Sequence, residues 1–381
     1  MEEAVQGCVG LVYDLLMVVC VGFLLLRVAQ GRSVRWFVLL LVSGGILNCL
    51  VHSSALKIGL VSVLCSVVHY VERDVMMTAA NKAVLITGCD SGFGHELAQV
   101  LDRAGMRVFA GVLDELSPGA LKLKESASVN LTVLQLDITN NTQITQTHQF
   151  IKSQTDKTGL WALVNNAGVL GYVCDGEILP MKMYKSCLDV NFLGSVMMTH
   201  TFLPLIRQSR GRVINITSMA GEVPLVGFAG YGASKAALNI YSGAIRQELS
   251  SWGVRVIIVQ PGAFRTNILG SSEQWERAQE QILSGLSEEV KDSYGEEYIH
   301  SMQKRLLDMS LASSEDKGPF LQSLKHAILS SNPKHFYYPG AGAWVLSLLY
   351  RYCPTALSDK IFSGMFMSGV QPAKLATAIP H

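Results

Sequence analysis

The sequence predicts an α/β protein: a doubly wound parallel sheet of about seven strands wrapped by helices, carried behind a helical N-terminal membrane anchor. Three observations lead there. The first seventy or so residues are almost free of charge, with only Asp14, Arg27, Arg32, Arg35 and Lys57 between Ala4 and Val71. After Asn81, short β-branched runs alternate with amphipathic helical stretches, the pattern of strands and crossover helices. The first of these runs opens into a turn with three glycines, Gly88, Gly92 and Gly94, followed by a helical stretch. The chain has 381 residues, 49% of them apolar and 16% charged, with a mean hydropathy of +0.29. A large core is therefore within reach, and the apolar excess sits at one end. Thirty-one basic against thirty acidic residues leave a net charge of +1, so no strong field draws the chain to nucleic acid, which is not an expected partner.

Residues 9–26 form a near-continuous apolar run of spanning length, and residues 36–51 and 55–71 are shorter runs within reach of a thin bilayer such as that of the endoplasmic reticulum. They read as two spans or one broken span, giving an anchor over residues 1–81 with two or three crossings. A cleaved signal peptide would begin with basic residues, whereas this chain begins Met1-Glu2-Glu3 and stays apolar far too long. Arg27, Arg32 and Arg35 favour a cytosolic first loop; three spans then put the globular part in the cytosol, two put it in the lumen. A cytosolic placement leaves the acceptor-like triplets at Asn130 and Asn140 without glycan. The eight cysteines are scattered with no C-x-x-C pair, which disfavours a zinc site or a disulfide framework and fits a reducing compartment.

The strands are expected at 83–87, 107–112, 132–136, 162–165, 212–216, 255–259 and 335–338, in one catalytic domain over 82–340. An insertion at 263–316 reads as a lid, and an apolar tail fills 341–381. Gly88, Ser91, Gly92, Phe93 and Gly94 form a turn between strand and helix where backbone can approach a pyrophosphate at a helix N-terminus. Asp114 lies twenty residues beyond Gly94, where a carboxylate would hold adenosine ribose hydroxyls; a solvated turn residue is the alternative. Asp90 in the turn would repel a 2′-phosphate, and no basic residue stands at that strand end, so NAD is favoured over NADP. Tyr231 and Lys235 fall one helical turn apart on one face. Ser218 lies thirteen residues earlier, at the carboxyl end of an apolar strand, where parallel sheets present ligands.

These motifs resemble the short-chain dehydrogenase/reductase family, and within it the branch that acts on steroid and retinoid alcohols. The match runs in family order: T-G-x-x-x-G-x-G at 87–94, Asp137 after the third strand, N-N-A-G at 165–168, Asn191, Ser218, Tyr231, Lys235 and P-G-x-x-x-T at 261–266. The resemblance implies a Rossmann-type fold and NAD contacts that include Asp137, Asn165, Ala167, Gly168, Tyr231, Lys235, Pro261, Gly262 and Thr266. It implies Tyr231 as general base, Ser218 as the hydroxyl that holds the substrate oxygen, and Lys235 as the cation that lowers the phenol's pKa and binds the nicotinamide ribose. Asn191 would hold a proton-relay water. Leu170, Tyr172, Val223 and Leu225 would join the lid in an apolar substrate slot. The implied reaction is NAD-dependent oxidation of a steroid 17β-hydroxyl at the endoplasmic reticulum membrane, with the bilayer and a second copy of the chain as expected partners. Retinol oxidation is the nearest alternative, and a non-catalytic NAD-binding scaffold is disfavoured by four intact site residues.

Overall fold

The computed structural model describes residues 75–378 except 267, 269, 271, 341 and 367–369, together with residues 15, 42 and 56–63. The three apolar runs expected to form the anchor therefore lie almost entirely outside the described residues. Among the described residues, no helix is long and apolar enough to cross a membrane. The chain divides into two compact units, one of residues 1–77 with 329–336 and one of residues 78–328 with 337–381. In the first, residues 56–63 are helical, and Met76 bridges antiparallel to Ser330, with Met77 N–H donating to the Leu329 carbonyl at 2.7 Å. This unit's edge falls a few residues before the expected boundary at 81 and takes in a piece of the distant segment near 330.

In the second unit the strands are β1 (Ala83–Ile86), β2 (Arg107–Val112), β3 (Leu131–Gln135), β4 (Ala162–Asn165), β5 (Arg212–Ile216) and β6 (Arg255–Val259); a two-residue β7 (Phe336–Tyr337) falls where the first unit's second segment ends at Phe336. The sheet order is β3-β2-β1-β4-β5-β6-β7, and the pairs from β3 through β6 are all parallel. Beyond Ile86, then, the order reverses, and right-handed crossovers put the helices of the two halves on opposite faces. A strand covered on both faces needs apolar residues at every position. β1 meets that need with a wholly apolar buried run, while β4 and β5 are also wholly buried and bury Asn165, Arg212 and Asn215 with hydrogen-bond partners; Leu85, Phe109, Leu163 and Val213 join Phe202 and Ile206 in the core.

The helices are α1 (Gly92–Arg103), α2 (Pro118–Ser126), α3 (Asn141–Thr155), α4 (Met181–Leu188), α5 (Ser195–Ser209), α6 (Ala229–Ser250), α7 (Ser272–Gly285), α8 (Glu288–Tyr294), α9 (Glu296–Ala312), α10 (Gly318–Leu329), α11 (Ala343–Tyr352), α12 (Thr355–Phe366) and α13 (Ala373–Ala378). Their starts follow local chemistry. Asn140 caps α3 by accepting from Thr142 and Gln143 N–H, and Ser117 caps α2 with Pro118 in its first turn. Between α4 and α5 the backbone loosens into a π-helical turn, Asp189–Gly194. Such a turn re-aims side chains and is common at functional sites; here it carries Asn191.

Candidate active site

The Gly-rich turn is built by two glycines with positive φ, Gly88 at +69° and Gly92 at +60°, a region closed to most side chains. Gly94 is required by close approach: a Cβ there would stand 2.3 Å from the Gly88 carbonyl oxygen and 2.5 Å from Asn166 Nδ2. The Asn166 amide ties the turn to β4 by donating to the Thr87 and Gly88 carbonyls at 2.8 and 3.0 Å. Thr87 Oγ1 in return accepts from the N–H groups of Asn166 and Ala167. Ser91 precedes α1 without a side-chain cap bond, which leaves the first N–H groups and the positive end of the helix dipole available to an anion. The helix begins at Gly92, inside the glycine turn itself.

Gly88, Ser91, Gly92, Phe93 and Asn166 border a cavity of about 420 Å³ that also touches Asp137, Ala167, Gly168, Leu170, Ser218, Tyr231, Lys235, Pro261, Gly262 and Thr266, while Gly94 lies off the lining, behind the turn. The cradle of backbone N–H groups, the positive-φ glycines and the absence of side chains at Gly94 and Gly168 fit a dinucleotide. A Cβ on Gly168 would stand 3.0 Å from Asn191 Oδ1 and 3.3 Å from Lys235 Nζ. Asp90 also lines the cavity, and its carboxylate accepts from Leu113 N–H at 2.9 Å and from Asp114 N–H at 3.3 Å. Asp114 itself is exposed and off the lining, where Leu113 takes its place.

Ser218 ends the extended path of β5 and starts a 3₁₀ turn, Met219–Gly221, whose Ala220 N–H donates to its hydroxyl at 3.2 Å. The turn packs onto α6 so closely that a Cβ on Gly221 would lie 2.8 Å from Lys235 Cβ. Ser218 is thereby brought beside Tyr231 on the cavity wall. Lys235 Nζ sits 5.8 Å from the Tyr231 ring centre and donates to the Ile216 carbonyl at 2.9 Å. Burial is the largest influence on both groups. It pushes the Tyr231 phenol up to about 12, offset in part by the nearby Ser218 hydroxyl, and brings the Lys235 ammonium down to about 8.

Five further expected residues are placed by the structure as follows. Both Asn191 amide N–H groups are engaged, with the Val169 carbonyl at 2.8 Å and Ser234 Oγ at 2.9 Å, while its oxygen accepts from Val169 N–H. The side chain is thus a brace between the loop that follows β4 and α6, with both of its donors engaged. Asn165 turns into the interior and donates to Thr199 and Asn215, so the wall is formed by its neighbours Asn166 and Ala167. Tyr172, Val223 and Leu225 lie off the lining: Val223 is fully buried, and Tyr172, packed on Trp275 at 4.9 Å, shares an apolar cluster with Leu225 behind Leu170 and Phe228. Ile268 of the expected lid lines the cavity, and Phe264, Ser310 and Ser313 line it with no sequence signal beyond their membership of the insertion.

A family model described as short chain dehydrogenase matches residues 82–277. Estradiol 17-beta-dehydrogenase 2 of Mus musculus is 42% identical over 362 residues, 93% of this chain and 94% of that protein. 11-beta-Hydroxysteroid dehydrogenase type 2 of Bos taurus is 40% identical over 308 residues, 81% and 76% of the two chains. Among solved structures, a short chain dehydrogenase/reductase from Burkholderia phymatum in complex with NAD superposes with a TM-score of 0.60 at 17% identity, covering 78% of this chain and all of that one; it shares the fold. A match that begins at β1 and runs past β6, with relatives at 40–42% identity that span most of the chain, makes this protein a member of the short-chain dehydrogenase family of oxidoreductases.

Proposed function

We propose that this protein oxidises the 17β-hydroxyl of a steroid such as estradiol or testosterone to the ketone with NAD, from a catalytic domain over residues 82–340 held at the endoplasmic reticulum membrane by residues 1–81. The observation that carries the chemistry is the joint lining of one cavity by Ser218, Tyr231, Lys235 and a glycine cradle at a helix N-terminus. The substrate class rests on the names of the two relatives and on apolar walls at Leu170, Phe228, Phe264 and Ile268.

Bound NAD supplies the hydride acceptor. Gly88, Ser91, Gly92 and Phe93, with the start of α1 and Gly94 bare behind them, would hold its pyrophosphate, and Asp137, Ala167, Gly168, Pro261, Gly262 and Thr266 would border the rest. Tyr231 takes the hydroxyl proton while Ser218 holds the same oxygen. A phenol that burial has raised is a poor base near neutrality, so Tyr231 needs a nearby cation to stabilise its phenolate. Lys235 is the cation this chain provides, and with a pKa of about 8 it is still largely protonated at pH 7. Asn191 keeps the floor of the cavity rigid by joining Val169 to Ser234.

Tyr231→Phe removes only the proton acceptor. Estradiol turnover by membranes carrying the full chain is expected to fall by about a hundredfold or more, with NAD affinity unchanged. Retention of a tenth of the activity would refute the assignment of the base, and brisk retinol oxidation by the wild type without steroid turnover would refute the substrate.

A further inference from the structure

The two ends of the insertion are fastened together beside the cavity. Ser314 N–H donates to the Ala263 carbonyl at 3.2 Å and Arg265 N–H to the Ser314 carbonyl at 2.8 Å, so that Phe264 and Ser314 form a parallel bridge. From this neck the Arg265 side chain reaches the C-terminal end of α9. Its Nε donates to the Ser310 carbonyl at 3.3 Å, its Nη2 to the Leu311 carbonyl at 3.1 Å, and its Nη1 pairs with Glu315. The last carbonyls of a helix have no partner within it and form the negative end of its dipole. A guanidinium presents five N–H donors in a fixed fork, so one side chain can hold two carbonyls and a carboxylate at once.

The neck is also cavity wall. Ala263, Phe264 and Thr266 line it from one limb, Ser310 and Ser313 from the other. Phe264 stands edge-on to Phe93 of the glycine turn, ring centres 5.5 Å apart. A shift of the α9 end would therefore move the wall on which both the dinucleotide and the alcohol rest, and would leave a negative helix end uncompensated beside a site for an anion.

We propose that Arg265 is a positioning residue, a latch that fixes the C-terminal end of α9 to the neck of the insertion and so sets the shape of the cavity. The proposal rests on the reading of that cavity as the dinucleotide and alcohol site. The carbonyl contacts carry the latch, because Glu315 is 74% exposed and Arg265 38% exposed, and ion pairs so open to solvent contribute little.

The test compares wild type, Arg265→Gln, Arg265→Lys and Glu315→Gln in the full membrane-borne chain. Mass-spectrometric hydrogen exchange over residues 296–316 is read beside the KM for NAD and for estradiol. Arg265→Gln is expected to speed exchange in 296–316 while β4 to β6 stay protected, and to raise the KM for NAD about tenfold with kcat changed less than threefold. Arg265→Lys should fall between, and Glu315→Gln should resemble wild type. If Arg265→Gln does not accumulate, Arg265→Lys carries the comparison, with a KM raised about threefold. Unchanged exchange and KM would overturn the latch, as would protection lost equally across β4 to β6 with KM intact. The exchange and NAD readings need no steroid, so a wild type that binds NAD but ignores estradiol would fail the substrate proposal and leave the latch tested.

Discussion

Lys235 shows how one side chain links stability to chemistry. It is 3% exposed, and burial lowers its pKa from 10.5 to about 8. Between those values the unfolded chain keeps a proton that the folded chain has lost, so stability rises with pH across that window; below about 8 both states are charged and the full burial cost applies. Urea denaturation of wild type and Lys235→Met should therefore show a difference that is flat from pH 6 to 7.5 and moves in favour of wild type from about pH 8 to 10.5. A difference that stays level through the window would contradict a buried, depressed ammonium. The partnership of Tyr231 with Lys235 was legible in the sequence because four residues make one helical turn. The roles of Asn191 and Asn165 were not, since amides are spent on whichever backbone groups tertiary packing brings within reach.

Single elements carry the proposed preference for NAD. The turn between β1 and α1 places the Asp90 carboxylate on the N–H groups of Leu113 and Asp114 just beyond β2. A 2′-phosphate approaching that strand end would meet a negative charge and backbone donors already engaged. Asp90→Ser with Asp114→Arg frees the donors and adds a cation, and the ratio of kcat/KM for NADP over NAD should rise by about a hundredfold or more, two favourable exchanges at roughly tenfold each. An unchanged ratio would show that neither residue reads the ribose. At this scale most strands were predictable: the expected bounds for β2, β4, β5 and β6 coincide with those found, because β-branched runs buried on both faces leave little choice of register. The π-helical turn at Asp189–Gly194 left no such mark, since one extra residue in a helix does not change its apolar period detectably. The latch at Arg265 was also hidden, as a lone arginine beside a loop has no period at all.

At the scale of the whole molecule, the proposed direction of the chemistry depends on the cofactor and on the compartment the site faces. Tyr231 can give or take a proton, so the site does not set the direction; the cofactor pool does. Cytosolic NAD is mostly oxidised and NADP mostly reduced, so an NAD-selective enzyme facing the cytosol runs toward the ketone. The apolar runs at 9–26, 36–51 and 55–71 carry the expectation of an anchor, and the number of crossings, with the side of the membrane, depends on whether the second and third runs each span. The most direct test follows labelled estradiol and testosterone, and in parallel estrone and androstenedione, in intact cells expressing the chain. The account predicts net conversion of the alcohols to the ketones with little return; net ketone reduction, or no steroid conversion in either direction, would contradict it.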